Sequence, residues 1–377
     1  MRIVWIVPGF SRDETDWCIP ALRDLAGEIA LRCDLHIVAL QYPYRRAVYQ
    51  AFGATVHSLG GANRGGWHTP GVWREAIRIV QTLRPDVLHA FWAYESGVVA
   101  GWFARHVPVI IHLAGGELID LPDIGYGLRG RRRARWLMRW ALDRARIVTA
   151  GSRQLIDMAE KFTGGREIVF APLGVPSCPS ALSTEKFRSR EDEQTILNIG
   201  SLEPVKDQTL LLRAFKRVAA AAPGAHLIIA GKGRLEGELR ALSQSLEVAS
   251  RVDFTGEIPH DRLPGLFQRA TVCVQTSRHE AQGMAVLEAA ACGVPLVGTA
   301  VGAIADLSPK AAVAVPVGDE ASLSHALISL LHDPARRKQL GRAAQDSVAR
   351  DYALTRTADR ALMMYGLLAS NGHHAID

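Results

Sequence analysis

Short runs rich in valine and isoleucine alternate with amphipathic stretches along almost the whole chain, and this alternation is the feature that most restricts its fold. Turn-bounded apolar runs predict strands, and apolar residues spaced three and four apart predict helices. A repeated strand–helix order predicts parallel sheets covered on both faces, which here form two doubly wound α/β domains. Ligands of such sheets bind beyond the carboxyl ends of the strands, so we expect a cleft between the domains to hold the site.

The alternation stops and restarts once, at the Pro/Ser-rich and charged stretch 172–193, which we interpret as a linker. Each half is long enough to bury a core of its own. The predicted strands are 2–7, 35–40, 86–89, 109–112, 147–150 and 168–170, then 195–199, 226–230, 252–255, 271–274 and 295–298. The predicted helices are 19–31, 72–83, 96–105 and 154–162, then 207–222, 234–246, 262–269 and 284–292.

Several protein classes are excluded by what the sequence lacks. No apolar run approaches the roughly 18 residues of a membrane-spanning helix, and the first residues lack a secretory signal. The chain has no dinucleotide-binding fingerprint, P-loop, zinc-protease motif or serine-hydrolase motif. Its five cysteines form no C-x-x-C pair, which argues against a disulfide framework and a zinc site. We therefore expect a soluble cytoplasmic protein with free thiols, and Cys273 and Cys292 in the core.

The positive charge is concentrated in one segment. From Arg129 to Arg146 the chain has eight arginines and one acidic residue, and all eight tryptophans precede residue 141. Such a helix either lies on an anionic membrane or is an exposed basic face whose tryptophans pack on the core. Nucleic acid is a poor candidate partner, because the segment is short and aromatic residues are not interleaved with basic ones elsewhere. On a helix the segment forms two neighbouring stripes, Arg131, Arg135 and Arg139 beside Trp136 and Trp140.

Two glutamates eight residues apart carry the strongest chemical signal. Glu280 precedes a predicted helix start at which the amides of Gly283, Met284 and Ala285 have no intrahelical acceptor. These amides lie at the positive end of the helix dipole and can bind a phosphate. Glu288 can accept both hydroxyls of a vicinal diol such as a ribose. The alternative is that both glutamates are solvated residues that only favour the helix start.

This stretch resembles the family-4 retaining glycosyltransferases of GT-B fold (glycosyl transferases group 1), whose motif is E-G-F-G-x-x-x-x-E-A-x-A-x-G-x-P. The resemblance spans residues 195–307, and in the first half it rests on the strand pattern and His112. The matching positions are Glu280, Gly283, Glu288, Ala289, Ala291, Gly293 and Pro295, with Gly200, Leu202 and Lys206, A-G-K-G at 230–233 and F-T-G at 254–256.

The resemblance implies a role for each matching residue of the second half. Glu288 would hold the donor ribose, Lys206 would pair with the diphosphate, and Glu280 would lie near the transferred sugar. Ser201 stands where the family has arginine, so another group must supply that charge. Gln282 replaces an aromatic residue, which makes the sugar pocket more polar.

In the first half, the resemblance implies a histidine at the end of a strand facing the cleft. His112 fits this place, and the next glycines, Gly115 and Gly116, would give room for the sugar. A neutral imidazole there would bond a donor hydroxyl and stabilise charge at the anomeric carbon. His89 competes for this role, although a structural role is favoured for it. Gly9 matches the glycine loop that lies under the donor phosphates.

The implied function is retaining transfer of a sugar from a nucleotide-sugar to a lipid-linked, polysaccharide or small-molecule acceptor. Residues 1–182 would form the acceptor domain and 192–352 the donor domain, with a last helix at 355–369 returning to the first. No cofactor or tightly bound metal is expected, and the basic segment would place the protein on the inner face of a membrane. The alternatives are a nucleotide-sugar epimerase or hydrolase of the same fold, or an inactive nucleotide-sugar-binding protein.

Overall fold

The computed structural model describes residues 1–61, 69–179 and 194–372, and its contacts divide the chain into two units. The first unit comprises Met1–Gly174 and Leu354–Asp377, and the second comprises Val175–Ala353. Both predicted domain boundaries, at 182 and 192, lie in the stretch 180–193, which is outside the described residues.

The first unit is built on a sheet of eight strands. Its strands are β1 (Arg2–Gly9), β2 (Asp34–Tyr42), β3 (Arg46–Ala51), β4 (Ala54–Leu59), β5 (Val87–Phe91), β6 (Val109–Leu113), β7 (Asp120–Leu121), β8 (Tyr126–Gly127), β9 (Ile147–Ala150) and β10 (Val169–Phe170). Its helices are α1 (Pro20–Ala30), α2 (Thr69–Leu83), α3 (Glu95–Gly101), α4 (Arg132–Arg144) and α5 (Arg153–Thr163). The sheet order is β10-β9-β6-β5-β1-β2-β4-β3, and β7 and β8 form a separate antiparallel pair.

Strands β3 and β4 form an edge hairpin that the sequence analysis did not predict. They pair antiparallel, so the first sheet is not entirely parallel. The turn between them places Phe52 at φ 50° and Gly53 at φ 74°. Two consecutive residues with positive φ match the twist that a two-residue hairpin requires. The alternating exposure of β3 is typical of an edge strand with one solvated face.

The second unit is built on a six-stranded, fully parallel sheet. Its strands are β11 (Gln194–Ile199), β12 (Ala225–Ala230), β13 (Val252–Gly256), β14 (Val272–Gln275), β15 (Leu296–Thr299) and β16 (Val313–Val315). Its helices are α6 (Gln208–Ala221), α7 (Glu236–Ser245), α8 (Leu263–Phe267), α9 (Met284–Ala291), α10 (Gly302–Leu307), α11 (Glu320–His332) and α12 (Pro334–Ser347). The strand order is β13-β12-β11-β14-β15-β16.

The segment after residue 298 also forms α10, β16, α11 and α12, which are not among the predicted strands and helices. The sequence does contain N-cap residues for α11 and α12. Asp319 accepts a hydrogen bond from the amide of Ser322 at the start of α11, and Asp333 accepts one from Arg336 at the start of α12. An aspartate at the N-cap satisfies an amide that has no partner inside the helix.

The final helix, α13 (Leu354–Gly372), belongs to the first unit and packs on α1 and β5. Tyr365 on α13 is fully buried, and its hydroxyl accepts a hydrogen bond from Trp5 Nε1 at 3.0 Å. The same hydroxyl bonds His89 Nδ1 at 2.8 Å. A residue near the end of the chain is thus fixed to β1 and β5 in the middle of the first sheet.

Each sheet has one position at which the direction of the strand order reverses. In the first unit it lies between β1 and β5, and in the second between β11 and β14. Loops diverge to opposite faces at such a switch point and leave a crevice at the carboxyl ends of the strands. These two crevices are where the fold itself places a ligand.

The prediction that all cysteines are free thiols is wrong. Cys178 and Cys292 form a disulfide, although 114 residues separate them in sequence. Their Cα atoms are 5.0 Å apart because the fold returns the chain to the same place, which no spacing rule can show. Cys292 is half-buried and bonded rather than a core thiol, whereas Cys273 is buried and free as predicted. The cysteines therefore no longer argue for a reducing compartment.

Candidate functional site

Glycines join the loops that follow β11, β12 and β13 at the carboxyl edge of the second sheet. A Cβ atom on Gly231 would lie 2.0 Å from the carbonyl oxygen of Gly200. A Cβ on Gly233 would lie 2.3 Å from the carbonyl oxygen of Leu202. The amide of Gly231 also donates to the carbonyl of Gly256 at 2.8 Å. The glycines of the A-G-K-G stretch, Gly231 and Gly233, are thus required by close backbone packing between loops.

Lys206 and Glu280 form an ion pair at the switch point of the second sheet. Lys206 ends a short helix after β11, Glu280 lies in the loop after β14, and Lys206 Nζ is 2.5 Å from Glu280 Oε1. The same oxygen accepts hydrogen bonds from Ser277 Oγ at 2.7 Å and Gln275 Nε2 at 3.1 Å. Both charged side chains are largely buried, at 24% and 10% exposure. The sequence placed these two residues in different motifs, and the structure brings them into contact.

Helix α9 begins directly after this loop. Gly283 is its N-cap, with φ 93° and no side chain to cap the helix. The following amides, those of Met284 and Ala285, are at the start of the helix and have no intrahelical acceptor. Within the described residues, the buried Oε1 of Gln275 has no hydrogen-bond partner, and it faces Gly283. The helix start is therefore a positive, sparsely satisfied polar surface.

Glu288 lies in α9 and is held by a histidine that the sequence analysis did not single out. His260 Nε2 is 3.0 Å from Glu288 Oε1, and both side chains are mostly buried. His260 begins the short helix His260–Arg262 after β13. The nearby F-T-G motif gave the only sequence signal for this loop. The contact fixes the direction of the Glu288 carboxylate before any ligand binds.

In the first unit, His112 is a buried residue of β6. Its Nδ1 is 2.9 Å from Thr149 Oγ1, on the neighbouring strand β9. Burial lowers the pKa of His112 to about 4, so the imidazole is neutral near pH 7. The bond to Thr149 fixes the ring orientation and leaves Nε2 for another partner.

His89 lies on β5 in a similar environment. Its Nδ1 is bonded to Tyr365, its ring stacks on Phe91, and burial lowers its pKa well below the usual value. Among the described residues, its Nε2 is a buried polar atom without a partner. His89 and His112 both line a cavity of about 20 Å³ beneath α13. Burial alone therefore does not show whether His89 or His112 is the histidine that would bond the donor.

Three glycines of this unit, Gly9, Gly115 and Gly116, lie too close to neighbouring residues to carry a side chain. A Cβ on Gly9 would lie 2.7 Å from the Cβ of Tyr42. A Cβ on Gly115 would lie 2.6 Å from Trp92 Nε1, and one on Gly116 would meet the ring of Tyr126. A side chain at Gly115 or Gly116 would therefore collide with an aromatic residue of the same unit.

Glu117 is a further buried carboxylate that the sequence analysis missed. It is 2% exposed and accepts hydrogen bonds from the amides of Ala93 at 3.1 Å and Gly115 at 2.7 Å. These amides belong to the loops after β5 and β6, so Glu117 ties the two loops together. Burial raises the pKa of Glu117, and the amide hydrogen bonds act in the opposite direction.

Two family models match the chain. The model of glycosyl transferases group 1 matches residues 181–347, and the model of a glycosyl transferase 4-like domain matches residues 19–174. Together they cover most of both units. The chain belongs to the group 1, family-4 glycosyltransferases. Membership in this enzyme family confirms the resemblance seen in the glutamate motif.

Curated relatives of this chain are named for different substrates. The GDP-mannose-dependent monoacylated alpha-(1-6)-phosphatidylinositol monomannoside mannosyltransferase of Corynebacterium glutamicum is 35% identical over 47% of this chain and 49% of its own length. The glycogen synthase of Mycobacterium tuberculosis is 27% identical over 78% of this chain and 71% of its own length. The chain thus spans about half of the first relative and about 70% of the second.

Solved structures confirm the fold. Sucrose-phosphate synthase from Thermosynechococcus elongatus superposes with a TM-score of 0.83 over 98% of this chain and 100% of that chain, at 18% identity. Anabaena HepE in complex with UDP and glucose superposes with a TM-score of 0.71 over 97% and 99%, at 15% identity. The chain therefore has the GT-B fold of two doubly wound, Rossmann-like units.

Two positions depart from the family motif. Ser201, in place of the family's arginine, is exposed, and its carbonyl accepts a hydrogen bond from Gln208 at 3.1 Å. Gln282, in place of the aromatic residue, is 6% exposed, and its backbone carbonyl accepts a hydrogen bond from the amide of Ala303 at 2.6 Å.

Among the described residues, no three histidine, cysteine or acidic side chains are grouped so that they could hold a metal ion.

The basic segment of the glycosyltransferase forms α4, but its arginines are not equivalent. Arg139 pairs with Asp143 at 2.9 Å and donates to the carbonyl of Phe162 at 2.6 Å, so it is anchored to the protein. Arg131 and Arg135 are exposed. Within the described part of the chain, none of the helices is long and apolar enough to span a bilayer.

Proposed function

We propose that this glycosyltransferase moves a hexosyl group from a nucleotide-sugar to a glycan or lipid-linked acceptor with retention of anomeric configuration. The observation that carries the proposal is the Lys206–Glu280 pair at the β11/β14 switch point, beside the start of α9. A donor diphosphate requires a cation and free amides, and this crevice contains both.

The proposed donor site uses the residues of the glutamate motif. The diphosphate accepts hydrogen bonds from the amides of Gly283, Met284 and Ala285 and displaces Glu280 from Lys206. The released carboxylate then lies near the transferred sugar and supports positive charge at its anomeric carbon. Ser201 supplies a hydroxyl where the family has an arginine.

Glu288 is proposed to accept the two ribose hydroxyls. A carboxylate has acceptor positions for both, and the contact with His260 already orients it. This preorganisation reduces the conformational entropy that donor binding must overcome.

The chemical step is proposed to proceed on one face of the sugar. The bond from the anomeric carbon to the diphosphate oxygen breaks, and a bond to the acceptor oxygen forms from the same side. The acceptor proton passes to the leaving diphosphate, so no second carboxylate is needed as a base. His112, neutral because of its burial, is proposed to bond a donor hydroxyl, and Gly9 to lie near the donor phosphates.

We propose that no tightly bound metal takes part, since Lys206 and the α9 amides supply positive charge at the leaving group. The acceptor is proposed to be reached at the cytoplasmic face of an anionic membrane. Two observations support this: the exposed arginines of α4, and the phosphatidylinositol-derived acceptor named for the Corynebacterium relative.

The test is a thermal-shift screen of UDP-, GDP- and ADP-sugars, repeated with EDTA. A ligand at 100 times its dissociation constant should stabilise the protein by about 2.7 kcal/mol. NMR of the product made from the binding donor then gives its anomeric configuration. Free sugar or an epimer without acceptor would indicate a hydrolase or epimerase, and binding without turnover across acceptors would indicate an inactive binding protein.

A further inference from the structure

An apolar groove runs across three helices of the first unit. Helix α3 packs against both α2 and α4, and the groove between them has a volume of about 670 Å³. Ligand pockets are typically about 300–1,000 Å³, so the groove has the size of a binding site. Its lining includes Trp73, Ile77, Val98, Val99, Trp102, Trp136, Leu137 and Trp140.

Two of the tryptophans in the groove are largely exposed. Trp102 is 63% exposed and Trp136 is 65% exposed. Trp140 packs against α3, where a Cβ atom on Gly101 would be only 2.8 Å from its ring. Exposed tryptophans grouped with aliphatic residues form an apolar surface of the kind that marks an interaction site.

The groove has a strongly basic border. The only acidic residue on α2, Glu75, is paired with Arg46, and the only one on α4, Asp143, is paired with Arg139. Several exposed arginines on the same helices form no ion pair with any described residue. Arg74 and Arg78 on α2 line the groove itself, and Arg132, Arg133 and Arg135 lie on α4, which supplies another part of its lining.

We propose that this groove binds one acyl chain of an anionic membrane lipid. The aliphatic floor and the tryptophan rings contact the chain, and Arg74 and Arg78, with the exposed arginines of α4, contact phosphate head groups. Tryptophan and arginine are suited to this boundary, because each combines an apolar body with a polar end. A lipid surface supplies a long apolar chain and a dense negative charge together.

A single-stranded nucleic acid is the rival occupant, since it also binds arginine and aromatic residues. It would stack on flat ring faces, whereas Ile77, Val98, Val99 and Leu137 form an aliphatic floor without ring faces. The proposal does not depend on which donor the second unit binds, so it can fail without affecting the donor site.

The test uses phosphatidylcholine vesicles with and without phosphatidylglycerol, prepared with either ordinary or brominated acyl chains. The wild type should sediment with anionic vesicles, and bromine should quench its tryptophan fluorescence. Trp102→Ala/Trp136→Ala should weaken binding about tenfold or more and remove most of the quenching. The control, Met363→Ala/Leu367→Ala, removes side chains of 68% and 58% exposure from α13 and should change neither readout.

The charge is tested separately. Arg74→Gln/Arg78→Gln should weaken binding about 30-fold, since each arginine near an anionic surface contributes roughly fivefold. The control, Lys338→Gln/Arg342→Gln, has the same spacing on the exposed face of α12 and should bind normally. Unchanged circular dichroism and melting temperature confirm that each variant is folded.

Three results would overturn the proposal. One is a wild type that stays in the supernatant at low salt, and another is sedimentation without quenching, which would mean a flat electrostatic contact. The third is a single-stranded oligonucleotide that displaces the vesicles and covers Trp102 and Trp136 as well as the vesicles do.

Discussion

Lys206 and Glu280 are paired before any ligand is bound, so the cation proposed for the diphosphate starts out neutralised. Their contact is 2.5 Å long and Glu280 has two further hydrogen bonds, so the carboxylate remains oriented when Lys206 moves to a phosphate. Binding a donor then exchanges one charge pair for another. The net affinity contributed by Lys206 is the difference between these pairs.

Lys206→Ala should weaken diphosphate binding by about ten- to a hundredfold. Removing the lysine costs the charge-assisted contact, roughly 1.5–3 kcal/mol, and also leaves the largely buried Glu280 carboxylate unpaired beside the diphosphate. Calorimetry with the preferred nucleoside diphosphate measures this. Lys216→Ala is the matched control, since Lys216 is an exposed lysine of α6 that belongs to none of the motifs. Equal affinities for both variants and the wild type would remove Lys206 from the site.

Glu288→Gln should damage nucleotide binding more than folding. The amide oxygen can accept fewer hydroxyl hydrogen bonds than a carboxylate, and the contact with His260 also changes. If Glu288 only favours the helix, the variant instead loses about 0.3–1 kcal/mol of stability and binds normally. Glu238→Gln, an exposed position in the first turn of α7, is the control for a helix-start effect. Melting temperature and nucleotide affinity, measured on the same samples, distinguish a role in nucleotide binding from a helix-start effect.

Acidification should destabilise the first unit through His112. The pKa of this group is about 4 when folded and about 6.5 when unfolded. Between these values the unfolded chain binds more protons than the folded chain. The stabilising contribution of the neutral His112 imidazole is therefore complete above pH 6.5 and is lost as the pH falls towards 4. The loss amounts to about 3 kcal/mol at 1.36 kcal/mol per pKa unit.

Denaturant unfolding at several pH values, compared between wild type and His112→Gln, measures this contribution. The variant should lose less stability than the wild type between pH 6.5 and pH 4, because glutamine does not titrate. Parallel curves for the two proteins would contradict the assignment of a buried neutral imidazole.

At the scale of elements, the loops after β5 and β6 are joined by the Glu117 carboxylate rather than by packing alone. Glu117→Gln should cost about 1–3 kcal/mol, since the new NH2 group faces a buried amide that loses its acceptor. Urea denaturation measures the change, and Glu167→Gln at an exposed position is the control. A loss of stability confined to Glu117→Gln supports the role of this carboxylate in joining the loops. If both variants are as stable as the wild type, the Glu117 hydrogen bonds do not stabilise the loops.

At the scale of the whole molecule, the Cys178–Cys292 disulfide closes a long loop in the second unit. Its removal in Cys178→Ser/Cys292→Ser should lower stability by about 2–4 kcal/mol, because the unfolded chain regains the entropy that the cross-link removes. In dithiothreitol the wild type should be as unstable as the double variant. The control Cys33→Ser, without reductant, should not show this loss of stability. If reductant leaves the wild-type unfolding curve unchanged, the bond does not form in solution.

Much of the architecture follows from local periodicity. The strand–helix alternation depends on residues within a few positions of each other, so the cores of β1, β6, β9 and α9 were predicted almost to the residue. The glutamate motif is local for the same reason, because Glu280, Gly283 and Glu288 lie on one loop and the helix that follows it. The family and the GT-B fold could therefore be recognised from the sequence.

Contacts between distant segments could not be predicted, because no short-range pattern encodes them. The pairs Lys206–Glu280, His260–Glu288 and Cys178–Cys292 each join residues that meet only after the second sheet has formed.

The same holds for the groove, whose tryptophans come from three helices separated in sequence. The sequence by itself determined which chemical groups the chain contains and which elements carry them. Tertiary structure decided which of those groups are neighbours, and therefore which charges are neutralised, which are oriented and which remain exposed.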